Sequence, residues 1–326
     1  MHFFKKQQLH KITKGSFSSP SIVIKLPVTK WRRAHSWGDY HMAVLLKNEL
    51  EKIGYFVLIQ ILPEWYNHEA DIYDIAIVFR GLSRYKVKPH QINIMWNISH
   101  PDDVTLDEYD DYDKVFIASN YWSKIISEQV STPVETMLQC TDINRFKEPS
   151  DAEKNKYRHQ LLFVGNSRKV YRKILSDLLP TNFPLAVYGK EWAGLLPKKY
   201  IKAKHILNNE LYKYYGSADI LLNDHWDDMR NKGFISNRIF DGLACGAFII
   251  SDKVRGMEEL ESFIQTYKAP EELKKQISFY LEHPQEKVVK SQKGMAYIIK
   301  NHTFKERAKQ FSKNIQTLIK VKAKSQ

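Results

Sequence analysis

Between residues 21 and 252 the chain spells one pattern twice: short apolar runs rich in Val, Ile, Leu and Phe, separated by intervals long enough for a helical crossover. The first series is SIVIKLPV (21–28), YFVLIQIL (55–62), DIAIVFR (74–80), INIMWNI (92–98), KVFIAS (114–119) and VETMLQC (134–140). Between the first two runs, Ala43, Leu46, Leu50 and Ile53 fall on one face of a helix that Gly54 terminates, and YWSKIISEQV reads as another helix. Continuously apolar strands with crossovers of this length specify a parallel sheet covered on both faces.

The pattern breaks in TDINRFKEPSDAEKNKYRH (141–159), a charged stretch with one proline and no periodic apolar face, which reads as a linker. It then restarts with HQLLFVGN (159–166), a helix through YRKILSDLL, LAVYGK (185–190), HILN (205–208), ADILLND (218–224), a helix NRIFDGLACG and AFIISD (247–252). The expectation is therefore an α/β chain of two domains, 1–145 and 146–303. Two further helical patterns, 271–281 and 304–321, come after these, and a C-terminal helix over 304–326 is a candidate to pack back on the first domain. No short-period repeat is present.

Composition narrows the partners without naming one. Fifty Lys and Arg against 37 Asp and Glu give a formal charge of +13, which attracts polyanions or simply solvates a lysine-rich surface. The two cysteines, Cys140 and Cys245, match no metal spacing. The first residues have lysines but no apolar stretch of signal-peptide length, and no segment approaches the ~20 apolar residues of a membrane span. A cytoplasmic protein is the expectation.

In open α/β sheets ligands bind beyond the carboxyl ends of the strands. In the second half those positions read GNSR, GKEW, NDHW and SDKVRG, which brings Gly189, Lys190, Asn223 and His225 into the candidate site. Gly165, Asn166, Ser167 and Arg168 combine a close backbone approach with a cation, as a phosphate requires, although an ordinary strand-to-helix turn with a Ser cap has the same composition. The segment Ser236-Asn237-Arg238 opens a helix of small residues, so its free amides and the guanidinium can hold a diphosphate. Asp241, one turn on from Asn237, can accept from the two hydroxyls of a ribose.

The motifs FVGNSR, LAVYGKEW, NDHWDDMR and SNRIFDGLACGAFIISD followed by GMEEL resemble the donor-binding domain of GT-B fold glycosyltransferases of the group 1 superfamily, in its CgeB-like branch. In the first half WGDYHMAVLLKNELEKIGY, FRGLSRY and MWNISHPDDV resemble that superfamily's acceptor side, so the resemblance spans about residues 20 to 265. It implies two doubly wound Rossmann-like domains facing across a cleft, with Gly38, His41, Arg80 and Asp102 on the acceptor side. It also implies His100 as the catalytic or acceptor-aligning residue, with Asp39 as the rival base. One position departs from the pattern: many group 1 enzymes carry two acids separated by seven other residues, and here Asp241 fills the second while Gly233 stands at the first. His225, Asp227 and Arg230 are the candidates to replace the missing carboxylate.

Other chemistries fit less well. Asp111-Tyr112-Asp113 has the spacing of a metal-dependent GT-A site but precedes a strand, at the wrong end of a sheet, so no catalytic metal and no cofactor are expected. No G-x-G-x-x-G turn supports a dehydrogenase. No RNP-like or helix-turn-helix pattern supports nucleic-acid binding. The reading is a transferase that moves a sugar from a nucleotide diphosphate to an acceptor hydroxyl on a glycan or lipid-linked acceptor in bacterial surface glycan synthesis. Peripheral association with an anionic membrane face goes with it. A catalytically inactive sugar-binding relative is the alternative that Gly233 keeps open.

Overall fold

The computed structural model describes residues 20–67 and 72–324. The first sheet contains β1 (Ser21–Leu26), β2 (Phe56–Ile61), β3 (Ile75–Arg80), β4 (Ile92–Asn97), β5 (Lys114–Ile117) and β6 (Val134–Thr136), in the order β2-β1-β3-β4-β5-β6. The second contains β7 (His159–Val164), β8 (Leu185–Tyr188), β9 (Ile201–Ala203), β10 (Ala218–Asn223), β11 (Ile249–Asp252) and β12 (Gln265–Tyr267), in the order β12-β11-β10-β7-β8-β9. Every pairing is parallel. Every residue of β1, β3, β4 and β5 is buried, which is why those runs are apolar on both faces apart from a few buried polar residues such as Lys25 and Asn93.

Strand order reverses between β1 and β3 in the first sheet and between β7 and β10 in the second, so each sheet opens a crevice at its carboxyl edge. The chain crosses between domains twice at one place. Thr141 and Thr303 form an isolated bridge, in which Thr141 N–H donates to His302 O at 2.9 Å and Phe304 N–H to Thr141 O at 3.2 Å. The helix Phe304–Lys324 then returns to the first domain, where Phe304, Ala308, Phe311 and Ile315 join Met42, Leu46 and Leu50 in one core. Phe311 sets its edge against Trp96 and Phe116, with ring centroids at 5.8 and 5.3 Å. Burying Phe311 and Ile315 contributes about 1.5–3 kcal/mol each, enough to hold the helix there.

Several elements differ from the sequence expectation for local reasons. The 134–140 run pairs only over Val134–Thr136, because its one neighbour, β5, ends at Ile117. HILN (205–208) is not a strand. Ile206 is buried, but the edge strand forms earlier, where Ile201 and Ala203 pair with Val187 and Tyr188. The linker contains the helix Asp151–Tyr157, set by a capping box in which Ser150 and Glu153 satisfy each other's backbone amides. The short edge strand β12 and the helix Pro284–Asn301 complete the second domain.

Candidate active site

The carboxyl ends of β7 and β10 part around a cavity of about 220 Å³. Gly165, Asn166 and Arg168 reach it from the turn after β7, and Ser236, Asn237 and Arg238 from the start of the helix Asn237–Ala244. His225 stands just after β10 on its wall. Sequence reasoning missed Arg172, Asp224, Trp226 and Met229, which complete the lining.

The wall is a stack of cations and rings. The Arg172 guanidinium lies 4.3 Å from the Trp226 ring centroid and 5.7 Å from that of Phe163, with Arg168 5.5 Å from Trp226 and Arg238 5.2 Å from Phe163. Such stacking fixes guanidinium planes while leaving their N–H edges free. Arg172 is paired with buried Asp224, to which its Nε donates at 3.2 Å, and Arg238 Nη1 donates to Asn223 Oδ1 at 2.6 Å. Asn223 in turn donates to Ser251 Oγ at 2.9 Å, so its role is to hold Arg238. Three guanidiniums against the single carboxylate of Asp224 make the cavity attractive to an anion.

Two glycines permit this crowding. A Cβ on Gly189, whose φ is 145°, would stand 2.1 Å from Gly165 O, and one on Gly165 would stand 2.9 Å from Arg238 Nη2. The GNSR turn does not begin a helix; the next one starts at Lys173. Arg168 and Lys169 instead adopt left-handed φ of 53° and 62°, at a cost of roughly 1–3 kcal/mol each. Ser167 is fully buried and serves the loop, donating to Glu191 O at 2.6 Å and accepting from Lys169 N–H at 2.9 Å. Asn166 Oδ1 accepts from the Lys190 amide at 2.8 Å, leaving the Lys190 side chain at the exposed rim.

Three of the expected donor contacts have other duties. His225 is buried with both ring nitrogens engaged: Nδ1–H donates to Asp252 at 2.7 Å, and Nε2 accepts from Ser236 N–H at 2.9 Å. The imidazole therefore positions the Ser236 turn and has no nitrogen left for a sugar. Arg230 reaches Asp227 at 2.5 Å and Asp252 at 3.5 Å, outside the lining. Asp241 lies beneath the cavity, accepting from Thr141 Oγ1 and Asn237 Nδ2 at 2.8 Å each. Burial pushes its carboxyl up to about 8, against the lowering effect of those two bonds.

On the first domain, Asp39 and His100 stand at the facing carboxyl edge. Burial raises the Asp39 carboxyl, while a backbone hydrogen bond and the neighbouring His100 and Arg168 oppose the rise, so groups from both domains act on one carboxylate. His100 comes after β4 in a left-handed conformation, φ 51° and ψ 54°, with Nδ1 3.8 Å from Asp228 Oδ2 of the other domain. The remaining acceptor-side expectations resolve differently. Arg80 is buried in a bidentate pair with Glu108 at 2.6 and 3.0 Å and also donates to the carbonyls of Gly81 and Asp103, so it clamps the loops after β3 and β4 and faces no ligand. Asp102 forms an ion pair with Lys232 across the cleft. His41 hydrogen-bonds to His35 O at 2.9 Å, and Gly38 opens the helix Gly38–Lys52 at an exposed position. Asp111 pairs with Arg84 at 2.9 Å, and Asp113 accepts from Asn93 N–H at 2.7 Å, both remote from the cavity.

Residues 168–313 match the family model described as glycosyl transferase-like. Over 147 residues the chain is 31% identical to the spore protein CgeB of Bacillus subtilis (strain 168); the match covers 40% of this chain and 46% of that protein, so it spans about half the relative's length. Among solved structures, sucrose-phosphate synthase from Thermosynechococcus elongatus superposes with a TM-score of 0.72 at 12% identity, over 93% of this chain and 100% of that one. Anabaena HepE in complex with UDP and glucose gives 0.66 at 11% identity, over 92% and 100%. The fold is GT-B, and the likeness to CgeB over part of the chain agrees with the resemblance read from the motifs.

Proposed function

We propose that this chain is a nucleotide-sugar-dependent glycosyltransferase. The observation that carries the reading is the arginine-lined cavity at the second sheet's switch point, opposite Asp39 and His100 on the first. The diphosphate lies on the amides of Asn237 and Arg238, in the turn that His225 holds through the Ser236 amide, with Arg168 and Arg238 neutralising the charge that grows as the anomeric bond breaks. Asp241, directly below Asn237, receives the ribose hydroxyls by exchanging one of its present bonds. His100 takes the proton of the acceptor hydroxyl. The Anabaena relative in the fold, solved with UDP and glucose, supports a uridine diphosphate sugar as the first donor to try.

The acceptor is a surface glycan, free or lipid-linked, built on the cytoplasmic side. No helix among the described residues is long and apolar enough to cross a membrane, so approach to a lipid-linked acceptor relies on the +13 charge at an anionic surface. The test is thermal stabilisation against a panel of nucleotide sugars, followed by turnover of the stabilising donor with and without EDTA. Selective stabilisation with turnover that survives chelation is expected. Stabilisation without turnover on any acceptor would favour the sugar-binding reading, which the glycine at position 233 supports.

A further inference from the structure

The segment that carries Asp228 belongs to the second domain by sequence and is held by the first. The helix Asp227–Lys232 leaves the cavity wall at Trp226 and inserts into the facing domain, where Met229 and Phe234 are buried in one core with Val104, Tyr109 and Ile126. Ser119 Oγ donates to Lys232 O at 2.7 Å, and the Lys232 ammonium lies 4.3 Å from the Trp122 ring centroid while pairing with Asp102. Gly233 makes the fit possible. Its φ is 77°, and a Cβ there would stand 2.5 Å from Arg255 O and 2.7 Å from Ser119 Oγ. The position where related enzymes carry an acid is a seam between domains here.

We propose that Asp228 positions His100 and makes its reactivity conditional on this docking, an inference that rests on the transferase reading above. Asp228 Oδ2 lies 3.8 Å from His100 Nδ1, with the two side chains about one-fifth exposed. His100 sits on a left-handed backbone with Pro101 next in the chain, which fixes the direction in which its side chain leaves the loop, toward Asp228. The field of a carboxylate 3.8 Å from Nδ1, with no hydrogen bond between them, favours the tautomer with the proton on that nitrogen and leaves Nε2 as the acceptor. In transfer, the acceptor hydroxyl's proton passes to Nε2, its oxygen bonds to the anomeric carbon, and the diphosphate leaves with the electron pair of the broken bond. Release of Met229 and Phe234 from that core would carry Asp228 away from His100, and the chain would then lack the oriented base that could activate water against the donor.

The experiment is a double-mutant cycle on the full chain with the donor found by stabilisation. Asp228→Asn should lower turnover roughly 10–100-fold, a part of the 10²–10⁴ that a general base contributes. Affinity for the free nucleoside diphosphate should stay within about twofold, and Asp228→Glu should recover part of the loss. In a His100→Ala background, Asp228→Asn should cost nothing further, because the carboxylate acts through the imidazole. Near-normal turnover in Asp228→Asn, a full additional loss in the His100→Ala background, or a fall in nucleotide affinity equal to the fall in turnover would each overturn the proposal. A wild-type chain that binds nucleotide yet transfers sugar to no acceptor and to no water would overturn the transferase reading itself, and this inference with it.

Discussion

At the carboxyl edge of the second sheet, three guanidiniums and the start of a helix line one cavity, whereas the matching edge of the first sheet presents Asp39 and His100, and the arginines that follow β1, Arg32 and Arg33, are exposed. Both edges are switch points of parallel sheets, so topology supplies the crevice in each case. The difference lies in the residues just past the strand ends. Beyond β7 and β10 come glycines and arginines that crowd together and stack on rings. Beyond β1 and β4 come a helix start and a strained histidine. The first arrangement suits a ligand gripped by fixed charge. The second suits a substrate touched briefly while a proton moves. The proposed function thus puts binding energy and chemistry in different halves of the molecule, which mutations can test separately.

The largest effect should come from the first domain. His100→Ala is expected to lower turnover roughly 10²–10⁴-fold while leaving nucleotide diphosphate affinity nearly intact, since the imidazole works mainly in the transition state. Steady-state kinetics beside calorimetric titration check this. A parallel loss of affinity would move His100 into the nucleotide site, and near-normal turnover would shift the search for a base to Asp39.

Arg238→Ala should give the opposite signature. Removing a guanidinium that bonds a diphosphate should weaken nucleotide binding by about 1.5–3 kcal/mol, the range for hydrogen bonds to charged groups. Titration with the free nucleoside diphosphate measures it. Unchanged affinity in a folded variant would break the division between a binding half and a reacting half.

Strand ends are recognisable wherever a continuous apolar run stops at a polar turn, and Arg168 is read that way; Ser236, Asn237 and Arg238 are read as the opening of a helix of small residues, and His100 comes from the resemblance together with its place after an apolar run. Arg172, Asp224 and Trp226 were not marked out, since the Arg172–Asp224 pair joins residues 52 positions apart and only folding brings them together. His225, read from its strand end, and Arg80, implied by the resemblance at the end of β3, differ for the converse reason. A polar residue at a strand end reads as a ligand contact, but folding supplied each with internal partners that one-dimensional pattern cannot reveal. Short edge elements escaped for want of signal: β9 and β12 have three residues each, too few for periodicity. The linker helix did carry a signal, the S-x-x-E of Ser150 and Glu153.

The smallest expected effect, a slope with pH, concerns Asp241 at the floor between the two halves. Its carboxyl is held at about 8 by burial, so near neutral pH the free protein keeps it largely protonated. Ribose hydroxyls donating to it would favour the ionised form, and binding would then release a proton. Nucleotide affinity should accordingly rise with pH between about 6 and 8 and level off above, by less than about tenfold per pH unit because a single proton is involved. Phosphate ionisation of the ligand adds its own slope, so the quantity to measure is the difference between the wild type and Asp241→Asn, titrated in buffers of different ionisation enthalpy. The folded protein carries a related signature with the opposite sign. A carboxyl raised from 3.8 to about 8 on folding makes the folded state the tighter proton binder, so its contribution to stability falls as pH climbs through that interval and should vanish in Asp241→Asn. A variant that loses the stability slope but keeps the binding slope would leave Asp241 as a tie between Thr141 and Asn237, and would put the ribose on another acceptor.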